Sequence, residues 1–126
     1  MKSLEQLLHS YQSLPLGWDG YGGVPAHQSS VEDALTWLAT LPAEGPLPLS
    51  MLAGDGEVSL YWSYPDVVYL EVSFPGDVTC HFIASRENER YASDDLDVCT
   101  ASQDSEFMRL YNLAMDNKRN VNETHG

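Results

Sequence analysis

The chain is short of fixed positive charge. Between Lys2 and Arg86 there is no lysine or arginine, whereas Glu5, Asp19, Glu32, Asp33, Glu44, Asp55, Glu57, Asp66, Glu71 and Asp77 all fall in that interval. The whole chain has 19 acids against 6 Lys or Arg, a formal net charge of −13. Nucleic-acid affinity depends on cations that displace counterions from phosphates, so direct binding to a phosphate backbone is not expected. The same negative field speeds encounter with a basic protein surface, and it also keeps a small protein in solution.

Cysteine is scarce too. Cys80 and Cys99 form no CxxC pair and no disulfide framework, so reduced thiols are expected. No apolar run approaches the roughly 18 residues of a membrane span, and the N-terminus MKSLEQLLHS lacks the apolar stretch and cleavage site of a secretory signal. These features predict a cytoplasmic protein without membrane contact.

Motifs for chemistry are equally sparse. There is no GxSxG, HExxH, P-loop or dinucleotide fingerprint. His9, His27, His81 and His125 are dispersed, and Cys80 and His81, as neighbours on a strand, point to opposite faces. Asp55 and Glu57 flank Gly56, and Asp94, Asp95 and Asp97 stand together in SDDLD, but the latter lacks the glycine and distal glutamate of a calcium loop. The expectation is therefore no catalytic residue, no metal and no cofactor.

What the chain does have is period-two patterning. From Gly54 to Ala84, Val58, Leu60, Trp62 and Tyr64, then Val68, Leu70, Val72 and Phe74, then Val78, Cys80, Phe82 and Ala84 alternate with more polar neighbours. This predicts three antiparallel strands joined at Tyr64-Pro65-Asp66 and Phe74-Pro75-Gly76-Asp77, the latter in type II order. Leu60, Trp62, Leu70, Val72 and Phe82 lead the core face, and Tyr61, Tyr69, Glu71, Thr79 and His81 the other. A proline-bearing edge strand is expected at about Leu47 to Ala53, and a short strand near Glu89 to Ala92.

Helical spacing marks three further segments. Leu4, Leu7, Leu8 and Tyr11 predict a helix over Lys2 to Leu14, stopped by Pro15. Val31, Ala34, Leu35, Leu38 and Leu41 predict a second from Ser29 or Ser30 to about Leu41, ended by Pro42, with Ser30 as N-cap, Asp33 completing a capping-box-like arrangement and Trp37 on its flank. Phe107, Leu110, Tyr111, Ala114 and Met115 predict a closing helix over Gln103 to Asp116. The order is that of an α+β domain over residues 1–116 with a polar tail at 117–126. Two N-terminal helices, a four- to five-stranded antiparallel meander and one C-terminal helix place the helices on one face of the sheet.

Between the first two helices lies LPLGWDGYGGVPAHQSS, whose Trp18 and Tyr21 are expected to pack on the sheet or the helices while Asp19 accepts backbone N–H bonds. GWDGYGGVP, the helix ending in LATLP and the strand GDGEVSLYW resemble a set of small bacterial and phage-borne proteins sharing a W-D-G-Y-G-A-x-P motif. The likeness spans roughly Leu14 to Phe82. It implies a single-domain α+β fold and carries over no activity; Gly23 stands where alanine is expected, a change taken as harmless.

The functional expectation is a non-catalytic acidic protein-interaction module for a partner with a basic surface. An inhibitor of a host-defence nucleic-acid-binding complex, of anti-CRISPR type, is its concrete form. Trp18, Asp19, Tyr21, Tyr61, Tyr69, Glu71, His81, Asp94, Asp95 and Asp97 are the candidate contact residues, because tyrosine and tryptophan anchor interfaces and carboxylates meet cations. Two alternatives remain open. One is a small enzyme or ligand-binding domain with a pocket by the WDGYGG loop lined by His81, Asp19 and Tyr21, and the other an antitoxin or immunity-like partner.

Overall fold

The computed structural model describes residues 3–42, 45, 47–64, 68–86 and 88–114. Helices α1 (Leu4–Ser10) and α2 (Gln28–Leu38) precede strands β1 (Leu49–Leu52), β2 (Val58–Tyr64), β3 (Val68–Phe74), β4 (Thr79–Arg86), β5 (Glu89–Ala92) and β6 (Leu96–Asp97). Residues 105–114 form the last helix, α3. The sheet is antiparallel in the order β1-β2-β3-β4-β5, and the short β6 also pairs with β4. This is the α+β arrangement expected, with the meander strands starting and ending within a residue or two of their period-two segments.

Alternation decides which face is covered. Leu60 lies opposite Val72, which lies opposite Phe82, and all three are buried, as are Trp62 and Leu70. The helices cover this side. Trp37 of α2 is fully buried and meets the rings of Trp62, Phe74 and Phe107, while Phe107 and Tyr111 of α3 reach Phe82 and Trp62. Such edge-to-face pairs each add about 1 kcal/mol beyond the area they bury.

The polar residues of α2 do a different job from the one their spacing suggests. His27, not Ser29 or Ser30, is the N-cap residue, and Ser30 sits one turn inside the helix. Its hydroxyl donates to the Phe74 carbonyl at 2.5 Å and accepts the Val58 amide at 2.9 Å, and those two residues face each other across β2 and β3. Asp33 likewise leaves the helix end alone and accepts the Val78 amide at 2.9 Å. The S-x-x-D spacing that imitates a capping box thus serves to fasten α2 to the end of the sheet. Trp37, expected on the flank, points the same way because it lies one and two turns on from Asp33 and Ser30.

Other boundaries shift for local reasons. Helix α1 is opened by a capping box between Ser3 and Gln6 and gives way at Tyr11–Ser13 to a 3-10 turn before Pro15. The edge strand is only Leu49–Leu52, since Pro48 brings no N–H to the ladder. Val78 does not continue β4: it is exposed, with φ at +68°, a region a β-branched side chain rarely occupies. β6 was not expected at all within the acidic SDDLD, where the pairs Thr79 with Asp97 and Cys80 with Leu96 form it. The turn expected at Pro65-Asp66 and the tail at 117–126 lie outside the described residues. Among the described residues, no helix is long and apolar enough to cross a membrane.

Two stability outcomes follow. Replacing Ser30 by alanine leaves a buried amide and a buried carbonyl without their shared partner and should cost about 2 kcal/mol in urea unfolding. Val78→Gly removes the left-handed strain and should raise stability by about 1 kcal/mol in the same assay, net of the extra freedom glycine has when unfolded.

Candidate functional site

Three surfaces hold the candidate residues, and the chain positions each by a different device. The first is the GWDGYGG loop. Gly17, Gly20 and Gly22 adopt positive φ, which lets the chain close on itself with the Gly17 amide donating to the Gly23 carbonyl at 2.7 Å. Asp19 fills the centre of the ring: one carboxylate oxygen accepts the amides of Tyr21 at 2.9 Å and Gly23 at 2.8 Å. These bonds hold its carboxyl below the usual carboxylate range. The half-buried Trp18 donates its indole N–H to the Val24 carbonyl at 2.7 Å. Tyr21 departs from expectation: it packs on neither sheet nor helix and is 94 % exposed, because the ring bonds turn its backbone inward. A Cβ at position 23 would lie 2.7 Å from the Asp19 carboxylate, so alanine there is not a harmless exchange for this loop as it stands.

The loop does not hang free. Val24 donates to the Gly54 carbonyl, His27 donates its amide to the Gly56 carbonyl, and the His27 ring nitrogen Nε2 lies 2.8 Å from the Asp55 carbonyl. The loop is therefore docked on the β1–β2 turn, at the end of the sheet where Val58 faces Phe74.

The second surface is the face of the sheet turned away from the helices. Tyr61 and Tyr69 stack with ring centroids 6.1 Å apart and planes 9° from parallel. Glu71 lies directly across from Tyr61 and accepts the Tyr69 hydroxyl at 2.5 Å. Burial first, and then this bond to Glu71, push the Tyr69 phenol well above its ordinary value, so it remains a donor. Ser73 lies opposite His81, and its hydroxyl pairs with that of Ser59 at 2.9 Å. Tyr61, Tyr69, Glu71 and His81 thus share one patch, which no described element covers. Glu57 begins the same row. Its carboxyl is held above the ordinary value by burial and by Asp55, with Glu71 and Asp77 adding to the rise and His81 opposing it.

The third surface is the SDDLD segment. Because β6 pairs with the first residues of β4, Asp97 and its neighbours come to the same end of the sheet as Asp77 and the β1–β2 turn. Asp97 accepts the Cys99 amide at 2.7 Å, Asp94 and Asp95 are exposed, and Asp55 accepts the Glu57 amide at 3.0 Å. Arg86 and Arg90 stand at the opposite end of β4 and β5. Glu89 stands there with them, opposite Arg86, so that end is mixed in charge. No group of three or more His, Cys, Asp or Glu among the described residues is placed to hold a metal ion.

The remaining candidates do not converge. Asp19 turns into its own loop, Tyr21 projects from it, and His81 lies on the sheet face, so these three line none of the principal grooves. Cys80 is buried and its thiol is pushed up to about 12 by burial, with Asp97, Asp33 and Asp95 adding to the rise. Cys99 is exposed. Glu57 and Asp77 were not among the expected contact residues; the register of β2, β3 and β4 brings the starts of β2 and β4, which these two precede, to one end of the sheet.

No family model matches the chain, and neither a curated protein nor a solved structure matches it.

The Asp19 ring carries its own pH signature. Since the native carboxyl titrates below its ordinary value near 3.8, the loop's contribution is complete above that value and is lost as pH falls through the lowered one. Amide exchange of Tyr21 and Gly23 should rise in that acid window, and at neutral pH in Asp19→Ala, while β2 and β3 stay protected.

Proposed function

We propose that the protein is a non-catalytic interaction module that docks on a basic protein surface through its uncovered sheet face and the acidic turn end beside it. The observation that carries this reading is the patch itself: Tyr61 stacks on Tyr69 and faces Glu71 across the strands, and Glu57 begins the same row next to Asp55. Burial raises the cost of the Glu57 charge most, Asp55, Glu71 and Asp77 add to it, and His81 opposes them. Like charges held together on a rigid sheet destabilise the free protein, and a lysine or arginine from a partner relieves them.

The aromatic pair beside them supplies the apolar part of an interface. Tyr61 and Tyr69 are already stacked, and Tyr69 is further fixed by Glu71, so little side-chain freedom is lost on docking. Tyr21, held out on a closed ring at the same end, extends the surface beyond the sheet. Charge and small size support a narrower form of the reading, in which the basic partner is a nucleic-acid-binding complex and the module competes with its phosphates, as an inhibitor of a defence complex of anti-CRISPR type does.

Titration calorimetry against purified basic nucleic-acid-binding proteins, at low and high salt, tests both levels. Affinity should fall at least about tenfold between 50 and 300 mM salt, with Glu71→Gln and Tyr61→Ala each costing about 1–2 kcal/mol and leaving the fold intact. Binding that is indifferent to salt and to both substitutions overturns the reading.

A further inference from the structure

A second surface lies on the helix side, apart from the sheet face. The C-terminal half of α2, the start of α1, Gly45, Leu47 and Pro48 ahead of β1, and α3 border a groove of about 480 Å³ whose walls include Leu4, Leu35, Leu38, Leu41 and Tyr111. Leu47 at its lip is 76 % exposed. Such a volume is that of a ligand pocket, and its walls are almost entirely aliphatic.

Two features tell what the groove takes. The first is Tyr111, only 4 % exposed, whose hydroxyl finds no hydrogen-bond partner among the described residues. Gly45 passes so close that a Cβ there would lie 1.8 Å from that oxygen, so the hydroxyl is fixed in the groove wall beside it. A buried hydroxyl left unpaired is costly, and an incoming carbonyl oxygen would satisfy it. The second is charge. Glu5 lies on the rim with its side chain 73 % exposed, and its carboxylate is 3.9 Å from the His9 ring. No lysine or arginine occurs anywhere from Ser3 to Ser85, the stretch that supplies every wall except α3.

We propose that this groove binds a basic peptide segment of a partner protein, seating a bulky apolar side chain among the leucines, with a backbone carbonyl accepting the Tyr111 hydroxyl and flanking lysine or arginine facing Glu5. An acidic ligand would meet the field of the whole molecule. A neutral one would leave Glu5 idle.

The test uses the full chain labelled with ¹⁵N and three capped heptapeptides. One has a Leu-Phe-Leu centre flanked by lysine pairs, one has the same flanks around Gly-Ser-Gly, and one has the apolar centre flanked by glutamate pairs. The first should give saturable shifts at Leu38, Leu41, Leu47 and Tyr111, with the other two at least about tenfold weaker. Leu47→Lys, at an exposed site that leaves folding alone, should weaken the first peptide about tenfold. Tyr111→Phe should weaken it about fivefold without lowering the urea midpoint, since it deletes an unpaired hydroxyl. Absence of saturable shifts at the groove, equal binding of the Gly-Ser-Gly peptide, or no effect of Leu47→Lys would overturn the proposal. Shifts confined to Tyr61, Tyr69 and Glu71 would also overturn it while leaving the sheet-face reading standing.

Discussion

The architecture depends on one hydroxyl. Ser30 joins the amide of Val58 to the carbonyl of Phe74, and Asp33, one turn on, holds the amide of Val78. All three bonds are directional, which apolar contact is not, so they fix the rotation and height of α2 over the sheet. With α2 set in that way, Trp37 falls at the meeting point of Trp62, Phe74 and Phe107, and α3 closes over the same aromatic cluster. The side of the sheet turned away from this cluster is left for Tyr61, Tyr69, Glu71 and His81. The surface assigned to partners is in this sense a by-product of where a serine holds a helix.

The meander was legible because side-chain alternation is a local property that survives any tertiary context. The register that sets Glu71 opposite Tyr61 and Ser73 opposite His81 follows from where each strand begins and ends. What was not legible came from contacts distant in sequence. Ser30 and Asp33 have the spacing of a cap, and nothing near them reveals that their acceptors and donors lie in β2, β3 and the turn after it. Val78 fits the alternation of the third strand, yet the bond from its amide to Asp33 accompanies a positive φ and the strand starts one residue later. β6 is two residues long, below what patterning resolves.

For the candidate surface, the tyrosines and Glu71 were visible as the polar half of the alternation. The gathering of Asp55, Glu57, Asp77 and Asp97 at one end was not, since three separate segments bring them there. The WDGYGG loop was half legible. Asp19 accepts backbone amides as short acidic side chains in glycine-rich turns do, whereas the outward position of Tyr21 depends on how the ring closes.

The Ser30–Phe74 bond spans 44 residues of chain. During synthesis, α2 leaves the ribosome well before the strand that accepts it, and Val31, Ala34 and Trp37 emerge with nothing to cover them. The acids along that stretch, with no lysine or arginine from Ser3 to Phe74, keep the exposed helix hydrated until Phe74 arrives and the helix is drawn onto its sheet.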